Sequence, residues 1–123
     1  MIFASFLLSI AAAIPEPPAA ELPTDVGPGA AQLFDRYVAC IAGGMFERRS
    51  DMRPASILAA EVRAGCAVAK ERARAALADA YRTIPSALDP RAEPDLKAAN
   101  LLQTWDVRIE WVIDHGRQQG SAH

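Results

Sequence analysis

YVACIAGGMFERRSDMRPASILAAEVRAGC, residues 37–66, carries both cysteines of the chain, and its reading decides the fold. Two antiparallel helices rise equally per residue, so residues that face one another lie symmetrically about the turn between them. The midpoint of Cys40 and Cys66 is residue 53. It falls in Ser50-Asp51-Met52-Arg53-Pro54, a polar run whose proline suits the first position of a new helix and biases Arg53 away from helical geometry. Cysteine symmetry and turn chemistry thus select the same fold-back, a helical hairpin tied by a Cys40–Cys66 disulfide. In the chain-entropy picture such a bridge stabilises by about 3 to 4 kcal/mol, a large share of the roughly 5 to 15 of a small domain.

Outward from the turn, the first helix is expected from Gly29 or Ala30 to about Arg48. Phe34, Val38, Ile41 and Met45 form its apolar stripe, and Leu33, Tyr37 and Cys40 form one flank. Gly43 and Gly44 each cost helix stability of about 1 kcal/mol relative to alanine. A close helix contact accounts for them, since Met45 and Phe46 keep the apolar period going; early helix termination is the alternative. The second helix is expected to be continuous from Pro54 to about Ile84, on a stripe that includes Leu58, Val62, Cys66, Ala73 and Leu77. Alanines dominate its buried face, so the core is thin and the disulfide weighs more. A loop punctuated by Pro85, Pro90 and Pro94 leads to a third helix from about Glu93 to His115, with a stripe through Ala98, Leu102, Trp105, Ile109 and Ile113 and with Gly116 as C-cap. No strand pattern stands out. The expected fold is all-α: a small three-helix bundle, or a disulfide-linked antiparallel hairpin with a third helix laid across it.

The remaining segments set the domain plan. Residues 1–13 hold no charged side chain and form an apolar run ending in Ala11-Ala12-Ala13, with Pro15, Pro17 and Pro18 beyond it. The run is short of the ~20 apolar residues a membrane span needs. It reads as a signal peptide cleaved after Ala13, with an uncleaved anchor as the alternative because a basic leading region is missing. Residues 14–29, rich in proline, alanine and glycine, read as a flexible segment. The helical domain is assigned to residues 30–116, and the polar residues 117–123 to a disordered tail. Export favours a structural disulfide over free thiols, and the cysteine spacing fits no Cys-x-x-Cys redox motif.

Few residues suggest chemistry. Asp106, Glu110 and Asp114 occupy successive turns of one helix face; a solvated face explains the row, and a weak cation site is the functional alternative. Val107 and Trp111 lie one turn apart on the side away from Trp105, and an exposed tryptophan with an aliphatic neighbour suits a protein partner. Arg63, Lys70 and Arg74 line one side of the second helix, while Arg48, Arg49 and Arg53 cluster at the turn. From Asp35 to Arg82 nine basic residues face six acidic ones, and the whole chain has a net charge of −2. That balance is too mild for nucleic acid. There is no Gly-x-Ser-x-Gly, no phosphate-cradling glycine loop and no histidine pair at metal-binding spacing; His115 is explained by a helix end. No catalysis and no cofactor are expected.

Tyr37-x-x-Cys40 followed by a helix carrying Cys66 resembles a loose set of small exported bacterial proteins with a signal peptide and a disulfide-tied helical hairpin. The resemblance covers about Leu33 to Tyr81 and implies export and the bridge, but transfers no binding or catalytic residue. The expected function is that of a small exported, non-enzymatic helical protein of the bacterial envelope, periplasmic or secreted, that binds another envelope protein through Val107 and Trp111. The alternatives are a ligand- or divalent-cation-binding periplasmic module, and an inhibitor or immunity protein of an envelope enzyme.

Overall fold

A computed structural model describes residues 16–23, 26–83 and 93–121, with side chains to Gln118. The leader over residues 1–13, the Pro85 to Pro90 loop and the last two residues of the tail lie outside the described residues. Among the described residues there are four helices and no strand: α1 (Pro28–Glu47), α2 (Ala55–Gly65), α3 (Ala67–Thr83) and α4 (Pro94–Ser121).

Helix α1 begins where expected. Gly27 precedes it at φ 89, a left-handed conformation suited to glycine, and Pro28 supplies the first turn, where a missing N–H costs nothing. Ala30, Phe34, Tyr37 and Ile41 are its buried positions. The stripe is thus centred on Tyr37, and Val38 and Met45 are only half-buried. The rotation follows from the Tyr37 hydroxyl, which finds an acceptor on α4 and draws its ring to the centre.

The second predicted helix is two helices. Cys66, at φ −105 and ψ 8, interrupts it just after Gly65, yet the hydrogen-bond ladder barely lapses: Cys66 N donates to Val62 O at 3.0 Å and Lys70 N donates to Cys66 O at 2.9 Å. Gly65, a poor helix former, immediately precedes the break. The hairpin geometry holds. The Cys40–Cys66 disulfide is formed, with Cα atoms 5.9 Å apart. Gly44 and Val62, which share the midpoint at residue 53, also face one another, and a Cβ on Gly44 would lie 3.1 Å from Val62 Cγ1. Gly44 therefore permits the close contact of α1 with α2.

α4 packs along α2 and α3, as does α1, and α1 and α4 also touch each other. The result is a helical bundle in which α1 and α4 run parallel to one another, each antiparallel to the α2–α3 unit, and meet directly through Phe34 and Trp105 and through Tyr37 and Asp106. Its fully buried centre combines Tyr37, Val62, Leu77, Tyr81, Leu102 and Ile109 with alanines such as Ala59, Ala73 and Ala98.

Both ends of the domain differ from expectation. Residues 16–23 are held against α4: Ala20 N donates to Thr104 Oγ1 at 3.0 Å, Trp105 Nε1 donates to Ala20 O at 3.2 Å, and Val26 is buried. A half-buried indole N–H requires an acceptor, and this segment brings one. At the other end α4 passes through Gly116, the expected C-cap, to Ser121. Arg117 explains the extra turn, because its guanidinium donates to Asp51 O at 2.7 Å and to Arg53 O, tying the helix to the hairpin turn.

Candidate functional site

The hairpin turn is held by a cluster of charges. Arg53 N and its guanidinium both bond Asp51, and the same guanidinium reaches Glu61 at 2.6 Å, where Arg48 Nε also donates at 3.2 Å. The Arg53 hydrogen bonds hold the Asp51 carboxyl at about 2, below its usual 3.8, and Arg53 and Arg48 lower Glu61 as well. The turn is therefore fixed in position, and so are the side chains it presents.

Beside it opens a cleft of about 580 Å³ between the C-terminal halves of α1 and α4. Its apolar lining comes from Met45 and Phe46 on α1, Met52 in the turn, and Val112 and Ile113 on α4. Phe46 is 64 % exposed and Met52 80 %, so the two together open an apolar surface to solvent. Arg48, Arg49 and Arg117 complete the lining, which contains no acidic residue. Arg49 lies 4.0 Å over the Phe46 ring and donates to the Phe46 carbonyl, so the ring is held outward by a cation on one face. Among the described residues no carboxylate pairs with Arg49. Methionine and phenylalanine around an open cleft make an adaptable apolar surface.

The residues singled out from sequence fall elsewhere. Val107 is half exposed, and Trp111 is only partly so, since it stacks on His115 with ring centroids 4.4 Å apart and planes at 12°. His115 thus packs on an aromatic face in mid-helix, not at a helix end. A shallow depression of about 420 Å³ joins Val107 and Trp111 to Glu110, Asp114, Ala55 and Ser56. The acidic row is split. Glu110 and Asp114 face this depression, but Asp106 is buried at 8 % exposure among the helices.

Asp106 belongs to a polar network that sequence did not reveal. Its carboxylate accepts from the Tyr37 hydroxyl and from Lys70 Nζ, and its backbone oxygen accepts from Arg63 Nη2 at 3.0 Å. Burial, followed by the hydrogen bond and charge of Asp106, pushes the Tyr37 hydroxyl pKa well upward. A buried carboxylate needs such partners to remain charged. Asp106 is thereby a pin joining α1, α3 and α4, and cannot act with Glu110 and Asp114 on a common ion. Among the described residues no three acidic, histidine or cysteine side chains could hold a metal.

The basic side of the second helix is likewise neutralised. Lys70 pairs with Asp106, and Arg74 pairs with Glu71 at 2.6 Å and Asp95 at 2.7 Å. Arg82 joins the same Asp95 at 2.9 Å. Ile57, Val68, Leu96 and Val107 are exposed elsewhere, and the cleft at the turn is where two exposed apolar side chains, Phe46 and Met52, share one concave surface. Phe46 lies off the α1 stripe and Met52 lies in the turn, and a hydrophobic side chain in either place was the available signal. No described helix is long and apolar enough to cross a membrane. No protein-family model, curated protein or solved structure matches the chain.

Proposed function

We propose that the chain is a small exported, non-enzymatic protein of the bacterial envelope that works by binding another protein at the cleft beside the hairpin turn. The observation that carries this reading is the exposure of Phe46 and Met52 over an apolar floor of Met45, Val112 and Ile113. Leaving such surface in water forgoes about 25 cal/mol for each Å² that a partner would cover. Export is supported by the Cys40–Cys66 bridge, which persists in oxidising compartments, and by the apolar leader with its alanine-rich end. Val107 and Trp111 stand on another flank of α4 and contribute a second, shallower contact.

Photo-crosslinking in the envelope tests the reading. A benzophenone side chain at position 46 is expected to give a discrete protein adduct, whereas the same group at position 68 should not, although Val68 is equally exposed at 65 %. Equal labelling from both positions, or none from position 46, would contradict the assignment.

A further inference from the structure

The seam between α1 and α4 has two halves, and one shows how such a surface is filled. In the first half Phe34 of α1 meets Trp105 of α4 edge to face, centroids 5.7 Å apart, and Ala20 of residues 16–23 accepts from the Trp105 indole. That segment forms neither helix nor strand, is rich in proline and alanine, bonds the Thr104 and Trp105 side chains through the Ala20 backbone, and places the Glu16 carboxylate on Arg108. Trp105, Arg108, Val112 and Gly116 follow one another at three- and four-residue steps along one face of α4, so the open cleft continues the same seam. Val112 and Gly116 lie about 6 and 12 Å beyond Arg108 along the helix axis. The second half repeats the chemistry of the first, with an apolar floor and an arginine, Arg49, at its rim.

We infer that the open half takes an extended apolar segment of a partner protein carrying a carboxylate, docked as residues 16–23 are docked in the filled half. The inference rests on the protein-binding reading of the cleft and adds the class of occupant. Two observations select that class: continuity with a surface already occupied by residues 16–23 through a carboxylate–arginine pair, and an arginine at the rim, Arg49, that no carboxylate among the described residues pairs with.

Panning a randomised dodecapeptide phage library on the full, disulfide-bonded chain provides the probe. The enriched peptides should combine apolar residues with Asp or Glu. A synthetic copy of the most enriched one, followed by fluorescence anisotropy at low salt, should bind about tenfold more weakly to Phe46→Asp and about fivefold more weakly to Arg49→Glu. Panning on Arg49→Glu should select Lys or Arg in place of the acidic residue. Peptides lost with Phe46→Asp but indifferent to Arg49→Glu would overturn the acidic class and leave the cleft as a binding site. Indifference to both substitutions, or no enrichment at all, would overturn the cleft reading too. A dimer dissolved by Phe46→Asp would assign the cleft to a second copy, and a Leu7→Asp variant with raised peptide affinity would assign it to the chain's own leader; either outcome overturns the proposal.

Discussion

The two halves of the α1/α4 seam differ in how completely their groups are satisfied. Around Tyr37 and Asp106 the buried carboxylate has the Tyr37 hydroxyl and Lys70 as partners and the indole N–H of neighbouring Trp105 has an acceptor, the buried Arg108 Nε alone lacking one among the described side chains; around Phe46 and Met52 apolar side chains stand in water beside Arg49. The first pattern is what stabilises a small bundle with an alanine-rich core. The second leaves Phe46 and Met52 exposed, while Arg48 and Arg117 at its rim hold the turn. Perturbing the two halves should therefore have opposite signatures, in stability for the first and in binding for the second.

The largest effect is expected from Asp106→Ala, which strands the buried Tyr37 hydroxyl and the Lys70 ammonium: a loss of about 3 to 5 kcal/mol in urea unfolding. A loss under 1 kcal/mol would show that the pin does not hold the helices. Reducing the disulfide should remove about 3 to 4 kcal/mol, read from the shift in unfolding midpoint with and without reductant. An unchanged midpoint would mean that packing at Gly44 and Val62 suffices.

Titration sharpens the same contrast. Because the folded Tyr37 pKa lies above its unfolded value of about 10, the protonated hydroxyl stabilises below pH 10, and that stability is lost as pH rises beyond it. Phenolate absorbance from one of the two tyrosines should consequently appear only with unfolding. The turn responds at the other end of the scale. Asp51, lowered from 3.8 to about 2, contributes stability above pH 4 that falls away as pH drops through 2, so loss of the turn's structure should be confined to that acid window.

The smallest and most local effects should come from the adjacent glycines of α1. Gly43 has open space around its Cα, and Gly43→Ala should raise stability by about 0.5 to 1 kcal/mol. Gly44→Ala should lose that gain against Val62, whose side chain is buried and β-branched. Equal gains from both substitutions would show that α1 and α2 are not in close contact.

The hairpin, the bridge and the all-helical class were legible because they follow from local rules: a turn sequence, a 3.6-residue period and the symmetry of two cysteines about residue 53. The break at Cys66 was not, because Leu58, Val62 and Ala73 keep their period across it and a cross-link alters geometry without altering pattern. Asp106 reads as one member of an exposed acidic row because periodicity places it near Glu110 and Asp114; only the fold supplies Tyr37 and Lys70 from two other helices. Residues 16–23 read as a tether because composition says little about backbone groups that answer one indole and one threonine. Phe46 and Met52 carry a signal, apolar residues off the stripe and in a turn, but their meeting with Val112 depends on α4 running past Gly116 to the turn.

Paired unfolding of Phe46→Asp and Phe34→Ala tests the central claim most directly, since the two phenylalanines lie on one helix and in the two halves of one seam. Phe34, 6 % exposed against Trp105, should cost about 3 to 5 kcal/mol when truncated. Phe46→Asp should leave the urea midpoint within about 0.5 kcal/mol of the parent, as an exposed side chain would. A loss above about 2 kcal/mol for Phe46→Asp would make Phe46 part of the folded core and contradict the assignment of the cleft as an open binding surface.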